Sequence, residues 1–211
     1  MERKNVRSRK GGRPSSASTA RLSEEILGAA EKTFLAQGFN GASVEAIATA
    51  AGTSKQTIYA RFGTKERLFV AVSNALLAYR FETRLLEHAT LRDKLLAVAR
   101  QMLDAMLDPK MVRMYTIITA EAQRFPDLAR AVDHDDTFPG RALILQILTE
   151  AAESGEVHCG DPRKLMLMFQ DMVLSAPLRS AALGLGKFDA PGLQEWATTA
   201  VDIFLKGLLP R

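Results

Sequence analysis

The sequence predicts an all-α protein: a three-helix N-terminal head followed by a larger helical bundle. Three observations predict it. From Leu22 onward the large apolar residues recur three and four apart, the spacing of one helix face. No stretch shows the alternation of apolar and polar residues, bounded by hairpin turns, that a sheet requires. Pro109, Pro126, Pro139, Pro162 and Pro191, with Gly155 and Gly160, punctuate the chain at intervals that suit helices. A chain of 211 residues allows one large or two small domains at about 150 residues each. With 47% apolar and 25% charged residues it has an ordinary globular composition, which excludes collagenous, disordered and disulfide-built classes.

Residues 1–20 form a basic arm rich in Gly, Pro, Ser and Ala, with too little apolar surface to offset the entropy of ordering. Ile26, Leu27, Ala30, Phe34 and Leu35 then mark a first helix from about Leu22, with Ser23 placed as its N-cap, Glu24 and Glu25 in the first turn and Gly38 at its end. Short helices follow over about 43–50 and 55–62 before Gly63 and Thr64 break the pattern. Six helices are expected beyond: about 66–87, 91–108, 110–124, 138–154, 163–184 and 191–208. The expected domains are the arm at 1–20, a head at 21–67 and a second domain at 68–211.

The segment from Ser43 to Phe62 carries the chemistry. Two short helices meeting at a steep angle need a small residue where their backbones approach, supplied by Ala48, and a residue tolerant of positive φ in the turn, supplied by Gly52. Val44, Ile47, Ala48 and Ala51 face inward from the first helix, and Ile58 and Phe62 from the second, which is the pattern of a helix-turn-helix. Ser54 is placed to cap the second helix, from which Lys55, Gln56, Thr57, Tyr59 and Arg61 point away from the apolar side. These groups have the donors, acceptors and reach to meet base edges and phosphates, and Gln or Arg can engage a purine with two hydrogen bonds. Lys65, just beyond, is placed for a phosphate. A helical corner with Ala and then Gly four residues on also occurs in proteins that never touch DNA. Here it coincides with a packing helix, a polar second helix and a basic arm.

These residues also resemble a known family. Ile26-Leu27-Gly28-Ala29-Ala30, Phe34, Gly38, Val44-Glu45-Ala46-Ile47-Ala48, Ala51-Gly52, Thr57-Ile58-Tyr59, Phe62, Lys65, Glu66 and Leu68 look like the DNA-binding domain of TetR-family transcriptional regulators. The segment Ala120–Ala129 looks like the corresponding stretch of AefR-like and AcrR-like members. The resemblance implies a homodimeric repressor that binds a DNA operator and releases it when a small molecule enters the second domain. It places DNA contacts on Ser43, Val44, Lys55, Gln56, Thr57, Tyr59, Arg61 and Lys65. The position of Arg61 often holds His or Tyr in the family.

Seven of the eight methionines lie past residue 100. Met102, Met106, Met114 and Met172, with Tyr115, Phe125, Phe138 and Phe169, are candidate linings of an adaptable pocket for apolar or amphipathic compounds, though methionine at helical spacing also serves as core filler. The last two helices carry more apolar residues than one face needs. Leu165, Met168, Trp196, Val201, Phe204 and Leu208 are candidates for a dimer interface, or for the core of a single chain. A dimer suits DNA recognition, because one short helix reads few bases and a two-fold pair reads two half-sites.

Cys159 is the single cysteine, so no intramolecular disulfide forms and a cysteine zinc site lacks ligands. His158, Cys159 and Asp161 form the nearest approach to a metal or nucleophile site, without a further ligand to complete it. Glu121 is a candidate ligand anchor, or a solvated or ion-paired carboxylate. No Ser/His/Asp set, Glu-x-x-His pair or Gly-rich phosphate loop is seen, so no enzyme activity, metal or cofactor is expected. No run approaches the ~18 apolar residues of a membrane span, and the basic start lacks the apolar core of a secretory signal, which makes a cytoplasmic protein the expectation.

The net charge of +4 is uneven: residues 1–14 hold six cations and one anion, and the rest of the chain holds 22 cations and 23 anions. Arg9-Lys10-Gly11-Gly12-Arg13-Pro14 resembles an AT-hook, in which an extended Arg enters a narrow minor groove. Arg9, Lys10 and Arg13 are thus candidate DNA contacts; a solubilising tail is the competing reading, and an architectural DNA binder of little sequence preference is the competing function. Deleting residues 1–14 is expected to weaken DNA binding and to flatten its log–log salt dependence by about 0.9 per lost phosphate contact. Titration of full-length and truncated protein at several salt concentrations checks this, and an unchanged affinity and slope would leave the arm without a role.

Overall fold

Ten α-helices and no strand form among the residues described by the computed structural model, which are 16–78, 89–132, 139–158 and 160–208. The arm residues Arg9, Lys10 and Arg13, together with Phe138 and Cys159, lie outside them.

Helix α1, Ser16–Gly41, starts earlier than its sequence suggests. Ser23 is inside it rather than at its N-cap, and its hydroxyl donates to the Thr19 carbonyl at 3.1 Å. Residues 16–20, expected in the flexible arm, are therefore helical. After Pro14 no Gly or Pro intervenes before Gly28, and Arg61 of α3 donates to the Thr19 carbonyl at 3.0 Å and to Ser23 Oγ at 2.9 Å. That tertiary tie supplies what local propensity could not. Gly38 does interrupt the helix as expected, with φ of 72° and ψ of 178°.

Helix α2, Val44–Ala50, is capped by Ser43, whose Oγ accepts from the Ala46 N–H at 3.1 Å. Its end is a Schellman motif: Thr53 N–H donates to the Ala48 carbonyl at 2.9 Å, Gly52 N–H donates to the Thr49 carbonyl at 3.2 Å, and Gly52 takes φ of 62°. Helix α3, Lys55–Phe62, is capped by Ser54, and α4, Lys65–Ala78, follows. Ile26, Ala30 and Phe34 of α1 pack with Ile47 of α2, Ile58 of α3 and Leu68 and Phe69 of α4. Edge-on aromatic contacts join Phe69 to Phe34 at 5.0 Å and to Phe39 at 5.7 Å.

The head's core runs past residue 67. Met114 and Ile117 of α6, Pro109–Glu121, and Leu128 of α7, Pro126–Val132, belong to the same buried cluster. Helix α7 is not foreseen from the sequence, because Pro126 reads as a stop. It stands instead at the first helical position, where the missing N–H costs nothing and the fixed φ favours a start. Pro109, Pro139 and Pro162 open α6, α8 (Pro139–Glu153) and α9 (Pro162–Ala182) in the same way.

A second core lies among α5 (Leu91–Met106), α8, α9 and α10 (Ala190–Leu208), with Leu95, Met102, Ile144, Phe169, Val173 and Val201 at its centre. Pro177 sits inside α9 and cannot donate to the carbonyl of Val173 four residues back. The indole N–H of Trp196 donates to that carbonyl at 2.9 Å, so the freed acceptor becomes a tie between α9 and α10. None of the described helices is long and apolar enough to cross a membrane. Replacing Trp196 by Phe is expected to keep most of the packing but orphan this carbonyl, lowering stability by about 1–3 kcal/mol. Urea denaturation measures it, and an unchanged midpoint would mean that the Val173 carbonyl finds another donor.

Candidate DNA interface and ligand cavity

The exposed face of α3 is narrower than the sequence suggests. Lys55, Gln56 and Tyr59 are exposed, with Tyr59 at 38%. Thr57 is half-buried; its N–H donates to Ser54 Oγ at 3.1 Å, and the two hydroxyls lie 2.8 Å apart, so both residues build the cap as well as facing outward. Arg61 is half-buried and turned toward α1 by its bonds to Thr19 and Ser23. Val44 is buried in the head core. Ser43 caps α2 beside it.

The charges of this face are partly compensated within the chain. The Lys55 ammonium pairs with Glu45 of α2 and stands 5.7 Å from the Tyr59 ring centre. The hydrogen bond from Lys55 holds the Glu45 carboxyl below its ordinary range, and the same bond raises Lys55. Sequence reading missed Glu45 as a partner, because the pair spans the turn and ten residues. Lys65 is half-buried with its ammonium 4.6 Å from the Phe39 ring centre; burial pushes its pKa down, against the opposing pull of Glu66 and Glu121.

Glu121 is not on the wall of the cavity between α4, α6 and α9 described below. Its Oε1 accepts from the Asn40 N–H at 3.1 Å, just beyond the Gly38 break. Together with a Lys110–Glu31 ion pair at 2.6 Å and an Arg113 bond to the Leu35 carbonyl at 3.4 Å, it fastens α6 along α1.

A cavity of about 420 Å³ opens between α4, α6 and α9, with Val132 of α7 and Arg141 of α8 at its edge. Of the expected lining residues, Met106, Met114 and Tyr115 are on its wall. Met102 and Phe169 are fully buried in the second core, with Phe169 edge-on to Phe204 at 4.9 Å. Phe125 packs on Phe39 at 5.2 Å. Met172 lines a separate hollow of about 340 Å³ between α9 and α10. The wall contributed by Val70, Ser73, Asn74 and Leu77 of α4 was not foreseen, since the sequence does not say which helix stands opposite α6 and α9. Asn74 Oδ1 is buried without a hydrogen-bond partner among the described residues.

Among the residues expected at a dimer interface, Val201, Phe204 and Leu208 are buried in the chain's own core, because the strongly apolar face of α10 packs on α5 and α9. Leu165 and Trp196 are half-buried against that core, and Met168 is 59% exposed. The outward apolar residues on and beside these helices are Leu167, Met168, Leu183, Leu185 and Ile203. The His158 N–H donates to the Leu208 carbonyl at 2.9 Å, and no group of three metal-ligating side chains occurs among the described residues.

Comparison with known proteins bears directly on this architecture. The model of the tetR family of bacterial regulatory proteins matches residues 26–72, and that of the C-terminal domain of AefR-like transcriptional repressors matches residues 93–207. The transcriptional repressor AcnR of Corynebacterium efficiens is 26% identical over 165 residues, covering 76% of this chain and 82% of AcnR. The repressor NicS of Pseudomonas putida is 41% identical over 58 residues, 28% of this chain and 27% of NicS. Among solved structures, the flavonoid-responsive regulator FrrA aligns with a TM-score of 0.71 at 32% identity, covering 91% of this chain and 99% of FrrA. A TetR-family regulator from Mesorhizobium loti aligns with a TM-score of 0.70 at 27% identity, covering 91% and 98%. The helix-turn-helix head, the helical second domain and these matches over both of them lead to one conclusion: the chain belongs to the TetR family of DNA-binding transcriptional regulators and is not an enzyme.

Proposed function

We propose that the protein is a homodimeric repressor that holds its operator through α3 and is released when a small apolar or amphipathic ligand fills the cavity between α4, α6 and α9. One observation carries this reading: Met114 belongs to both the cavity wall and the head's core. Ile118 likewise lines the cavity and packs on that core. A ligand that moves these side chains acts on the packing that positions α1 and α4, and so on the angle at which the head is presented. Packed cores switch between discrete arrangements rather than deforming smoothly, so a small displacement at Met114 need not fade before it reaches α3.

On the DNA side, Gln56 and Tyr59 are the residues best exposed for base edges, and Lys55 for a phosphate after exchanging Glu45 for it. Ser43, Ser54 and Thr57 sit at helix N-termini, where backbone N–H groups favour phosphate. Arg61, Val44 and Lys65 support the reading less directly: Val44 packs the start of α2 into the head core, Arg61 ties the end of α3 to α1, and Lys65 of α4 rests on Phe39 of α1.

On the ligand side, a cavity of about 420 Å³ is within the range of drug-sized sites. Leu77, Met111, Met114, Ile118, Leu174 and Leu178 offer an apolar bed, and Asn74, Arg141 and Gln170 offer polar contacts. An amphipathic ring compound with a hydroxyl donor for Asn74 Oδ1 fits this chemistry, and the flavonoid response named for FrrA makes flavonoids the first compounds to try.

The experiment is selection of bound DNA with the purified full-length protein, followed by titration of the recovered site. Gln56→Ala should relax base preference at one position, at about 1–3 kcal/mol. Glu45→Gln, which frees Lys55, should tighten binding and steepen the log–log salt slope by up to about 0.9. A panel of flavonoids should contain a compound that lowers operator affinity at least about fivefold. Absence of any preferred site would overturn the reading. A ligand that binds the cavity tightly but leaves operator affinity unchanged would overturn the switch alone.

A further inference from the structure

Arg61 stands in the last turn of α3 and reaches back 42 residues to the start of α1. Its Nη1 donates both to the Thr19 carbonyl at 3.0 Å and to Ser23 Oγ at 2.9 Å, and the Ser23 hydroxyl donates to the same carbonyl at 3.1 Å. The three groups close a ring that holds the backbone at Thr19, three residues inside the helix end at Ser16. Local chemistry works against that end. The first turn of α1 has no acidic residue, and the six cations of residues 1–14 lie just before it, on the side where the helix dipole disfavours positive charge. The apolar packing of α1 on the head's core begins only at Leu22 and Ile26. The tie from Arg61 therefore decides where the helix starts.

Where α1 starts is also where the basic arm leaves the head. A residue advances the chain by at most about 3.6 Å, so Arg13, three residues before Ser16, lies within about 11 Å of the helix start, and Arg9 and Lys10 within about 25 Å. One turn of DNA is about 34 Å long, which puts the minor groove beside a bound recognition helix about 17 Å away along the axis. Arg9 and Lys10 can span that distance, and Arg13 can meet the phosphates on the way. Were the tie lost and α1 unwound to Leu22, the chain between Gly11 and the first fixed residue would grow from five residues to eleven. The effective concentration of a tethered group falls as roughly the −3/2 power of tether length, so the arm would lose roughly threefold.

We infer that Arg61 is a positioning residue for DNA binding: held on Thr19 and Ser23, it directs the basic arm into the minor groove beside the half-site read by α3, so that arm and recognition helix bind as one unit. The inference rests on the reading of the arm and of α3 as DNA-binding segments, and adds the residue that joins them and the spacing of their contacts. Half a turn is about five base pairs, and a narrow A·T-rich groove is the one that best holds an extended Arg. The bound site therefore carries an A·T preference about five base pairs from the position set by Gln56, and Arg61 governs it without touching it.

The test is a double-mutant cycle on binding to the selected DNA site, using the full chain with its arm intact or neutralised by Arg9→Ala, Lys10→Ala and Arg13→Ala together, each with and without Arg61→Ala. With the arm intact, Arg61→Ala should weaken binding roughly threefold and erase the flanking A·T preference. With the arm neutralised, it should change neither the affinity nor the log–log salt slope. An Arg61 that itself met a phosphate would instead lower that slope by about 0.9 in both backgrounds. Ser23→Ala loosens the tie and keeps the charge of Arg61, so it should weaken binding in the same direction; tighter binding would mean that the released guanidinium serves a phosphate. An equal loss in both backgrounds, whether from a lost phosphate contact or a damaged fold, would overturn the inference, as would no loss in either. Neutralising the arm without any change in affinity or salt slope would overturn the arm's part as well, and leave sequence-specific binding by α3 standing.

Discussion

The head of this protein is too small to close its own core, and most of the architecture answers to that constraint. A unit of about fifty residues buries a modest share of its surface when it folds alone. Phe34, Phe39 and Phe69 leave an apolar side open, and Met114, Ile117 and Leu128 from α6 and α7 fill it. The joint is then fixed in register by Glu121 on Asn40, Lys110 on Glu31 and Arg113 on the Leu35 carbonyl. The helix-turn-helix head and the cavity-bearing second domain thus share one hydrophobic cluster instead of meeting across a polar linker.

The shared cluster gives the cavity its leverage. Its walls come from α4 and α6, each of which shows one face to the cavity and another to the head's core. The far wall is α9, which contributes Gln170, Leu174 and Leu178. Two tasks therefore fall on neighbouring helices: holding the head and walling the cavity. In such an arrangement coupling needs no long route, since each helix that would respond to the ligand already touches what it would move.

Charge on the DNA-facing side is governed by a related economy. The head is nearly neutral, and three of its cations are engaged within the chain, Arg21 with Glu25, Lys55 with Glu45 and Arg61 with α1. Lys65 spends part of its surface on Phe39. The ties of Arg61 to α1 hold α3 in place, whereas the Lys55–Glu45 pair is one that a phosphate would have to displace. The uncompensated positive charge of the chain is concentrated in residues 1–14.

The sequence by itself determined the helical class, the helix-turn-helix and its turn, because these follow from short-range physics. Ala48 and Gly52 are four residues apart, and Ser43 and Ser54 cap helices that begin at the next residue. Local signals failed where a distant partner outweighed them. Ser23 reads as a cap until Arg61 anchors an earlier start of α1. Pro126 reads as a stop until Leu128, buried in the head's core, shows that it opens α7. The second domain was legible only as helices, since periodicity gives a helix an apolar face without naming what that face meets. Val201, Phe204 and Leu208 carry the same apolar pattern whether they face a partner or their own chain, and only the packing of α10 on α5 and α9 decided for the latter. Met102 and Met114 are alike in sequence, yet one is core filler and the other a cavity wall, because position in the bundle, not residue type, fixes what each can touch.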